Sequence, residues 1–304
     1  MERWVFRPKI LVDVRQRDLS VTFLGHRLAF PVMLGPIGSI EFFHPEGALA
    51  VARVAGRMGT LAFVSTMASP DLETVARGAS GPLVFQLYVR GDREWVATIV
   101  RRAEHAGYAA LCVTADAAVY GRRERDLRHR FLPRERLNRP NVGGTMMNEE
   151  YQSGWTWEDL AWLRGRTRLP LILKGVLTPE DAVRAVEHGV DAVYVSNHGG
   201  RQLDHAPATI EVLDEIARGV AGRAELLVDS GFVRGTDVVK GLALGARGVL
   251  VGKLQAWGLA AAGEAGLQRA LELLQEEIST TMALIGARKV SELGPDWVKP
   301  AAPI

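Results

Sequence analysis

The sequence has little cysteine and little imbalance of charge. Its 304 residues include one cysteine, Cys112, so no disulfide can form within the chain and no cysteine-based zinc site is available. Lys and Arg total 37 against 35 for Asp and Glu, a net charge of +2. A dedicated nucleic-acid binder carries a clear basic excess. We therefore expect no nucleic-acid partner and no metal site.

Long apolar runs are missing as well. No stretch without charge exceeds 13 residues, and one of that length, Leu28–Ile40, contains two prolines, so a span across a bilayer is not expected. The first residues carry charge at once and lack the apolar core of a signal peptide. The composition, 47% hydrophobic and 24% charged, is typical of a globular protein. These features predict a cytoplasmic enzyme.

Short apolar runs recur along the chain, and most are followed by a helical pattern. They are continuous rather than alternating, which is typical of strands buried on both faces of a parallel sheet. Thr178 and Pro179 illustrate the helix signals between them, as an N-cap residue and a first helical residue. Eight strand–helix units in a chain of this length predict an α/β fold, the TIM (β/α)8 barrel. The runs begin at Val32, Leu61, Leu83, Ala110, Leu171, Ala192, Glu225 and Val249.

The spacing of the runs predicts a single domain over 1–304 with three additions. The fourth and fifth runs begin 61 residues apart, so a long loop and helix is expected over 117–169. Loops after barrel strands lie at the active-site face, and this one is expected to be a lid or a wall of the site. Residues 1–30 are expected to form an N-terminal arm or hairpin from Ile10–Val14 and Val21–Phe23, and 290–304 an irregular tail.

Polar residues stand where the predicted strands end. Gln86 and Tyr88 are two residues apart, as are Thr114 and Asp116, so each pair shares a face of its strand. Burying such groups without partners costs about 1–3 kcal/mol each, and a planar polar ligand would satisfy them. Glycines at the ends of the last two runs match the common phosphate site of this fold. The sequence therefore predicts a planar, phosphorylated cofactor.

The segment after the sixth run, Ser196–Asp204 (SNHGGRQLD), resembles the signature of the FMN-dependent α-hydroxy-acid oxidase and dehydrogenase family. This family includes glycolate oxidase, lactate oxidase, mandelate dehydrogenase and hydroxymandelate oxidase. The resemblance implies a flavoprotein barrel that uses FMN to oxidise an (S)-2-hydroxy acid to a 2-oxo acid. It extends in order from Phe6 to Gly286, through His44–Gly47, Phe85–Tyr88, Arg101–Gly107, Leu173–Gly175, Gly235–Lys240 and Leu242–Ala246.

The resemblance implies catalytic and substrate-binding roles for five residues. His198 would be the base that removes a proton from the substrate, and Asp116 would stabilise the resulting imidazolium. Arg201 would clamp the substrate carboxylate through its planar fork, with help from Arg123. Tyr88 would hydrogen-bond the substrate.

The resemblance also implies the cofactor site. Lys174 would lie beside the flavin N1 and C2 carbonyl, where its charge favours the reduced flavin. The remaining flavin contacts would come from Pro36, Ile37, Gly38, Ser65, Gln86, Thr114 and Ser196, and the ribityl and phosphate contacts from Asp229, Ser230, Gly231, Gly252 and Lys253.

The sequence departs from the family pattern at several positions. No residue matches the tyrosine that the family carries on an N-terminal helical segment ahead of the barrel. Val233 replaces one phosphate-binding arginine and Lys253 another, which removes two forked contacts. Met67 stands where glycolate oxidase has a tryptophan that lines the substrate pocket, and Gly38 where many members have alanine.

Two alternatives stay open at this point. The chain could catalyse a different FMN-dependent reaction on a biosynthetic intermediate, or it could be a degenerate, non-catalytic family member. Oxygen, a quinone or a carrier protein could each accept the electrons, and the family resemblance favours a homo-oligomer, a tetramer.

Overall fold

The computed structural model describes residues 1–130, 139–143 and 150–302. Its strands are β1 (Trp4–Phe6), β2 (Val21–Phe23), β3 (His26–Leu28), β4 (Val32–Leu34), β5 (Ala62–Ser65), β6 (Leu83–Leu87), β7 (Ala110–Thr114), β8 (Leu171–Val176), β9 (Ala192–Val195), β10 (Glu225–Val228), β11 (Gly248–Val251) and β12 (Val298–Pro300). Its α-helices are α1 (Gly47–Arg57), α2 (Leu72–Gly78), α3 (Arg93–His105), α4 (Glu124–Arg128), α5 (Glu150–Ser153), α6 (Trp157–Arg164), α7 (Pro179–Glu187), α8 (Thr209–Val220), α9 (Gly235–Ala243) and α10 (Lys253–Ile285).

Strands β4 to β11 form a closed parallel barrel, which confirms the TIM (β/α)8 fold. Each strand pairs with its neighbours in chain order, and β11 closes the ring against β4. Nearly every residue of these strands is buried, as the continuous apolar runs predict. Burial of each Val, Leu or Ile side chain contributes about 1.5–3 kcal/mol.

The helices begin where the sequence offers capping groups. Thr178 accepts a hydrogen bond from the amide of Asp181 at 3.2 Å, and Pro179 occupies the first turn of α7. Asp71 and Asp92 cap α2 and α3 in the same way. The last helix, α10, is interrupted at Ala262 and Gly263, where the glycine takes a φ of +58° against the ring of His44. Among the described helices, none combines the length and the apolar character needed to cross a membrane.

The structure corrects the predictions for the two ends of the chain. The N-terminal hairpin joins β2 to β3 rather than to Ile10–Val14, which lies outside any strand. Phe23 and Leu28 of this hairpin are buried, so burial selects its strands over the more exposed alternation of Ile10–Val14. The tail is not wholly irregular, because β12 pairs antiparallel with β1. The prediction of a lid over 117–169 falls partly on 131–138 and 144–149, outside the described residues.

Candidate functional site

The carboxyl ends of the eight barrel strands bring the predicted site residues to one end of the barrel. Ser65 closes β5, Thr114 closes β7, and Ser196 follows β9 directly. Gln86 lies on β6 and donates a hydrogen bond from Nε2 to Thr114 Oγ1 at 2.8 Å. All four side chains are buried although they are polar, and together they supply hydrogen-bonding groups at this end of the barrel.

His198 is held between two partners at this end of the barrel. Its Nδ1 lies 3.0 Å from Asp116 Oδ1, and its Nε2 lies 3.1 Å from the hydroxyl of Tyr88. An ionised carboxylate only accepts hydrogen bonds, so Nδ1 carries the ring proton and Nε2 keeps its lone pair. The backbone of His198 has a φ of +59° and its amide donates to Ser196 Oγ at 3.1 Å. This left-handed turn directs the imidazole back over the barrel.

Lys174 is a buried cation close to the carboxylate of Asp116. Its Nζ donates to Ser196 Oγ at 3.0 Å and lies 3.9 Å from Asp116 Oδ2. Gly175 has a φ of +102°, and a Cβ there would stand 2.5 Å from Asp116 Cβ. Glycine therefore permits the close approach of β8 to the loop that carries Asp116.

The charges at this centre shift one another's protonation. Burial opposes the ionisation of Asp116, but the charge of Lys174 and the hydrogen bond from His198 outweigh it and lower the pKa of the carboxyl. Burial likewise opposes the charge of Lys174, yet Asp116 and Asp229 keep the pKa of the ammonium raised. Burial and Lys174 lower the pKa of His198 against the opposing effect of Asp116. Burial raises the pKa of Tyr88 to about 12, so its hydroxyl stays protonated.

Two arginines stand at the mouth of the site. Arg201 forms an ion pair with Asp126 of α4, with 3.6 Å between Nη2 and Oδ2. Arg123 contacts the hydroxyl and the ring face of Tyr120. Burial and the like charge of Arg201 lower the pKa of Arg123, although nearby Tyr120 opposes the shift. Two guanidinium groups that influence each other's pKa in this way favour the binding of an anion.

The predicted phosphate region is formed by the ends of β10 and β11. Ser230 donates to a carboxylate oxygen of Asp229 at 2.7 Å and accepts from the amide of Gly199 at 3.0 Å. Gly252 precedes α10, whose first turn has no side-chain cap, and a Cβ at Gly252 would meet no atom within 4 Å. Lys253 Nζ lies 3.3 Å from the carbonyl of Gly199, so these two loops face each other.

The loop after β4 supplies the remaining predicted cofactor positions. Pro36 and Ile37 are half-buried, and Gly38 is exposed. A Cβ at Gly38 would stand 3.0 Å from the Cβ of Met67, so two of the four positions at which the sequence departs from the family are in contact.

Sequence reasoning missed three residues that the structure brings to this end. Tyr194 donates a hydrogen bond to Asp229 at 2.8 Å, and its place two residues before Ser196 on the same strand face was the available signal. Gln152 accepts from the amide of Val89 and donates to the carbonyl of Thr114, which no local pattern indicated. Gln202 bonds to the loop after β7, although it stands inside the recognised segment.

This chain matches one family model and is similar to several known proteins. The model of FMN-dependent dehydrogenases matches residues 1–300. Glycolate oxidase of Spinacia oleracea is 42% identical over 99% of this chain and 87% of its own length. An L-lactate oxidase of Nostoc sp. is 44% identical over 96% of this chain and 86% of its own length. A crystal structure of a soluble mutant of (S)-mandelate dehydrogenase from Pseudomonas putida superposes with a TM-score of 0.94 at 41% identity, covering 98% of this chain and 88% of that one.

Proposed function

The chain belongs to the FMN-dependent dehydrogenase family and oxidises a 2-hydroxy acid with FMN as cofactor, and we propose that His198 is the base of this reaction. The observation that carries the proposal is the orientation of the imidazole. Asp116 holds the Nδ1 proton, and Nε2 turns its lone pair towards Tyr88 at the open end of the barrel. A general base needs such an unprotonated nitrogen within reach of the substrate proton, and a bound substrate would take the place of the Tyr88 hydroxyl at Nε2.

The residues at the carboxyl end of the barrel fit FMN. Asp116 Oδ2 is buried without a hydrogen-bond partner among the described residues, and the buried ammonium of Lys174 makes one side-chain hydrogen bond. A planar ligand with alternating acceptors and donors would complete this set. Gly231, Gly252, Lys253 and the uncapped start of α10 provide amide groups and a cation for a phosphate.

The flavin would contact the ring of groups on the strand ends. When bound, FMN supplies the acceptor for the two electrons that leave the substrate. Lys174 would hold a fixed positive charge beside it in a site of low dielectric. The other groups that would hold it are Pro36, Ile37, Gly38, Ser65, Gln86, Thr114, Ser196, Asp229 and Ser230.

The substrate carboxylate would bind between the two arginines. Burial and, to a smaller extent, the charge of Arg201 lower the pKa of Arg123, and the negative charge of an anion would oppose both effects. Tyr88, which stays protonated up to a pKa of about 12, would donate a hydrogen bond to a substrate oxygen. Three directional donors would fix the acid so that its hydroxyl faces His198.

His198 would then take the proton that the substrate loses during oxidation. Burial and Lys174 keep the imidazole neutral at neutral pH, since they lower its pKa from 6.5. The imidazolium that forms would be stabilised by Asp116, whose carboxylate lies 3.0 Å from Nδ1. Proton transfer by a positioned side chain contributes roughly 10²- to 10⁴-fold to a rate.

The finer points of the function stay predictions. The first is the electron acceptor, which is oxygen, a quinone or a carrier protein. The second is the assembly into a homo-oligomer, and the third is the cytoplasmic location. The alternatives of a different FMN reaction or a non-catalytic member are not favoured, because the relatives named above are oxidases and a dehydrogenase of 2-hydroxy acids.

Anaerobic titration of the FMN-loaded protein with glycolate and with the L- and D-isomers of larger 2-hydroxy acids, in the wild-type chain and in His198→Asn, tests the proposal. The panel should run from glycolate through lactate to mandelate, because relatives act on acids of these three sizes. The expected result is loss of the flavin absorbance with an L-acid and no loss with its D-isomer in the wild-type chain, and a much slower loss with the same L-acid in His198→Asn. Bound flavin that no acid of the panel reduces would contradict it.

A further inference from the structure

The proposed site is divided between two loops that no strand ladder joins. The loop after β7 carries Asp116 and Arg123, and the loop after β9 carries His198 and Arg201. In the barrel, β8 stands between β7 and β9. Lys174 of β8 contacts both loops, at Asp116 and at Ser196, and the remaining control of their separation comes from groups that connect the loops directly.

Gln202 makes such a connection with one side chain. Its Nε2 donates to the carbonyl of Asp116 at 3.2 Å and to the carbonyl of Val119 at 2.9 Å. Its Oε1 accepts from the amide of Gly121 at 3.2 Å. Both amide protons and the carbonyl oxygen are thus used on a single stretch of the loop after β7.

The backbones of the two loops also touch at one point. A Cβ on Gly121 would stand 2.5 Å from the carbonyl oxygen of Arg201 and 2.7 Å from the Cα of Gln202. A glycine is therefore required for the approach that brings Gly121 within reach of the glutamine amide. The close contact and the three hydrogen bonds hold the same pair of segments together.

We propose that Gln202 is a positioning residue that sets the distance between the Asp116 loop and the His198 loop. It acts through its neighbours: Asp116 is the first residue of the stretch that Gln202 binds, and Arg201 is the residue next to Gln202 in the chain. The inference deepens the proposed function and rests on it, since the paired groups are the base with its carboxylate and the two arginines.

The amide is the chemical feature on which this role depends. Two acceptor carbonyls and one donor amide face it, and a carboxamide presents two donors and an acceptor in return. A glutamate of the same length cannot donate and places a charge beside two carbonyl oxygens. A leucine keeps much of the volume and makes no hydrogen bond.

The test compares Gln202→Leu, Gln202→Glu and Gly121→Ala with Gln268→Leu as a control. Gln268 lies on α10, where its amide bonds to Glu272 and Arg57 far from the site. Each variant is loaded with FMN, and the rate constant of flavin reduction and the substrate dissociation constant are measured per bound flavin by anaerobic stopped-flow. Misplaced catalytic groups cost up to about 10²-fold, so we expect a 10- to 100-fold slower reduction together with weaker binding in all three variants and neither change in the control.

Lower thermal stability or flavin content with unchanged constants per bound flavin would overturn the proposal, because a merely structural glutamine behaves in that way. Gly121→Ala leaves the glutamine intact, so it tests the loop distance even where a Gln202 variant folds poorly.

A measurement without substrate separates this proposal from the proposed function. In the oxidised, FMN-loaded protein with ¹⁵N-labelled histidine, the Nδ1 proton of His198 is identified by its loss in His198→Asn. Its exchange with water is expected to accelerate at least 10-fold in Gln202→Leu, because the bond to Asp116 opens more often. An unchanged exchange rate would count against Gln202 even if no hydroxy acid reduced the wild-type flavin.

Discussion

The polar groups at the two ends of the barrel differ in how fully their hydrogen-bonding capacity is used. At the amino-terminal end, Asp191 accepts from the amide of Leu171 at 2.8 Å and from Arg164 at 3.2 Å, while Glu225 accepts from the amide of Leu24 at 2.8 Å. These groups hold strand starts and the β2–β3 hairpin in place.

At the carboxyl-terminal end, side chains face one another and leave hydrogen-bonding capacity unused. Asp116 Oδ2 and Arg123 Nε are buried without a hydrogen-bond partner among the described residues. Such atoms cost about 1–3 kcal/mol each unless a ligand or water meets them. The difference teaches that buried polar atoms without a hydrogen-bond partner, rather than polar groups in general, distinguish the functional end of this barrel.

Removal of the base should have the largest effect on this functional end. In His198→Asn the rate constant of flavin reduction by a 2-hydroxy acid is expected to fall about 10²- to 10⁴-fold, because no group remains to accept the substrate proton. His205→Asn on the same loop is the control, since His205 is exposed and is not part of the group formed by Asp116, His198 and Tyr88. Stopped-flow reduction decides, and a fall of less than tenfold would remove His198 from the role of base.

The pH dependence of flavin reduction should follow from the same centre. Burial and Lys174 lower the pKa of His198, so the reduction rate is expected to rise with pH up to a value below 6.5 and to be flat above it. The pKa of Tyr88, about 12, predicts no alkaline fall before pH ~10. Below the histidine pKa the rate should drop about tenfold per unit. A midpoint above 7 would contradict this assignment.

Stability should depend on pH in the same direction. The folded protein binds a proton on His198 less readily than the unfolded chain does, because the pKa of the folded state is lowered. The stability that this group contributes is therefore fully present above pH 6.5 and is lost as the pH falls from there through the lowered pKa of the folded state. Asp116, also with a lowered pKa, adds a further loss below 3.8. Thermal unfolding against pH measures both.

Replacement of Arg201, which would bind the substrate carboxylate, should affect the substrate dissociation constant more than the rate of flavin reduction. Arg201→Lys keeps the charge but loses the fork, so the substrate dissociation constant is expected to rise about 10- to 100-fold. Arg218→Lys, which replaces an exposed arginine of α8 paired with Asp214, is the matched control. Flavin titration with the substrate acid measures the constant, and an unchanged value would leave Arg123 as the clamp.

The fold was predictable because its signals are local and repeated. Eight continuous apolar runs and caps such as Thr178 indicated the barrel, and the strands begin within one residue of the predicted positions. The terminal arms were harder to predict. The pairing of Trp4–Phe6 with Val298–Pro300 joins residues nearly 300 positions apart, and three-residue strands carry almost no alternation.

The site residues could be predicted where the type of side chain itself indicates chemistry. They could not be predicted where their role depends on contacts with distant parts of the chain. His198 and Lys174 stand out as titratable groups at strand ends, and the structure brings them together with Asp116. Gln152 and Gln202 do not stand out, because an uncharged amide has many ordinary roles in helices and loops alike. Their partners are backbone atoms of distant loops, which no pattern along the chain indicates.

A matched pair of threonines sharpens the comparison of the two ends. Thr60 donates to the carbonyl of Val32 near the amino-terminal end, and Thr114 accepts from Gln86 at the carboxyl-terminal end. Each change to valine is expected to lower stability by about 1–3 kcal/mol, or several degrees in Tm. Thr114→Val alone should also weaken FMN binding, by about threefold to tenfold. Equal FMN dissociation constants in the two variants would show that the ends do not differ in this respect.

The smallest effect is expected where the functional end meets solvent. Asp126 pairs with Arg201 at 3.6 Å, and both side chains are partly exposed, so the pair contributes at most about 1 kcal/mol. The carboxylate of a substrate would compete with Asp126 for the same guanidinium. Asp126→Asn should therefore tighten substrate binding by about twofold to threefold without changing the rate of flavin reduction at saturation. Asp214→Asn is the control at the exposed Arg218 pair, and weaker substrate binding in Asp126→Asn would mean that Asp126 orients Arg201 rather than competing for it.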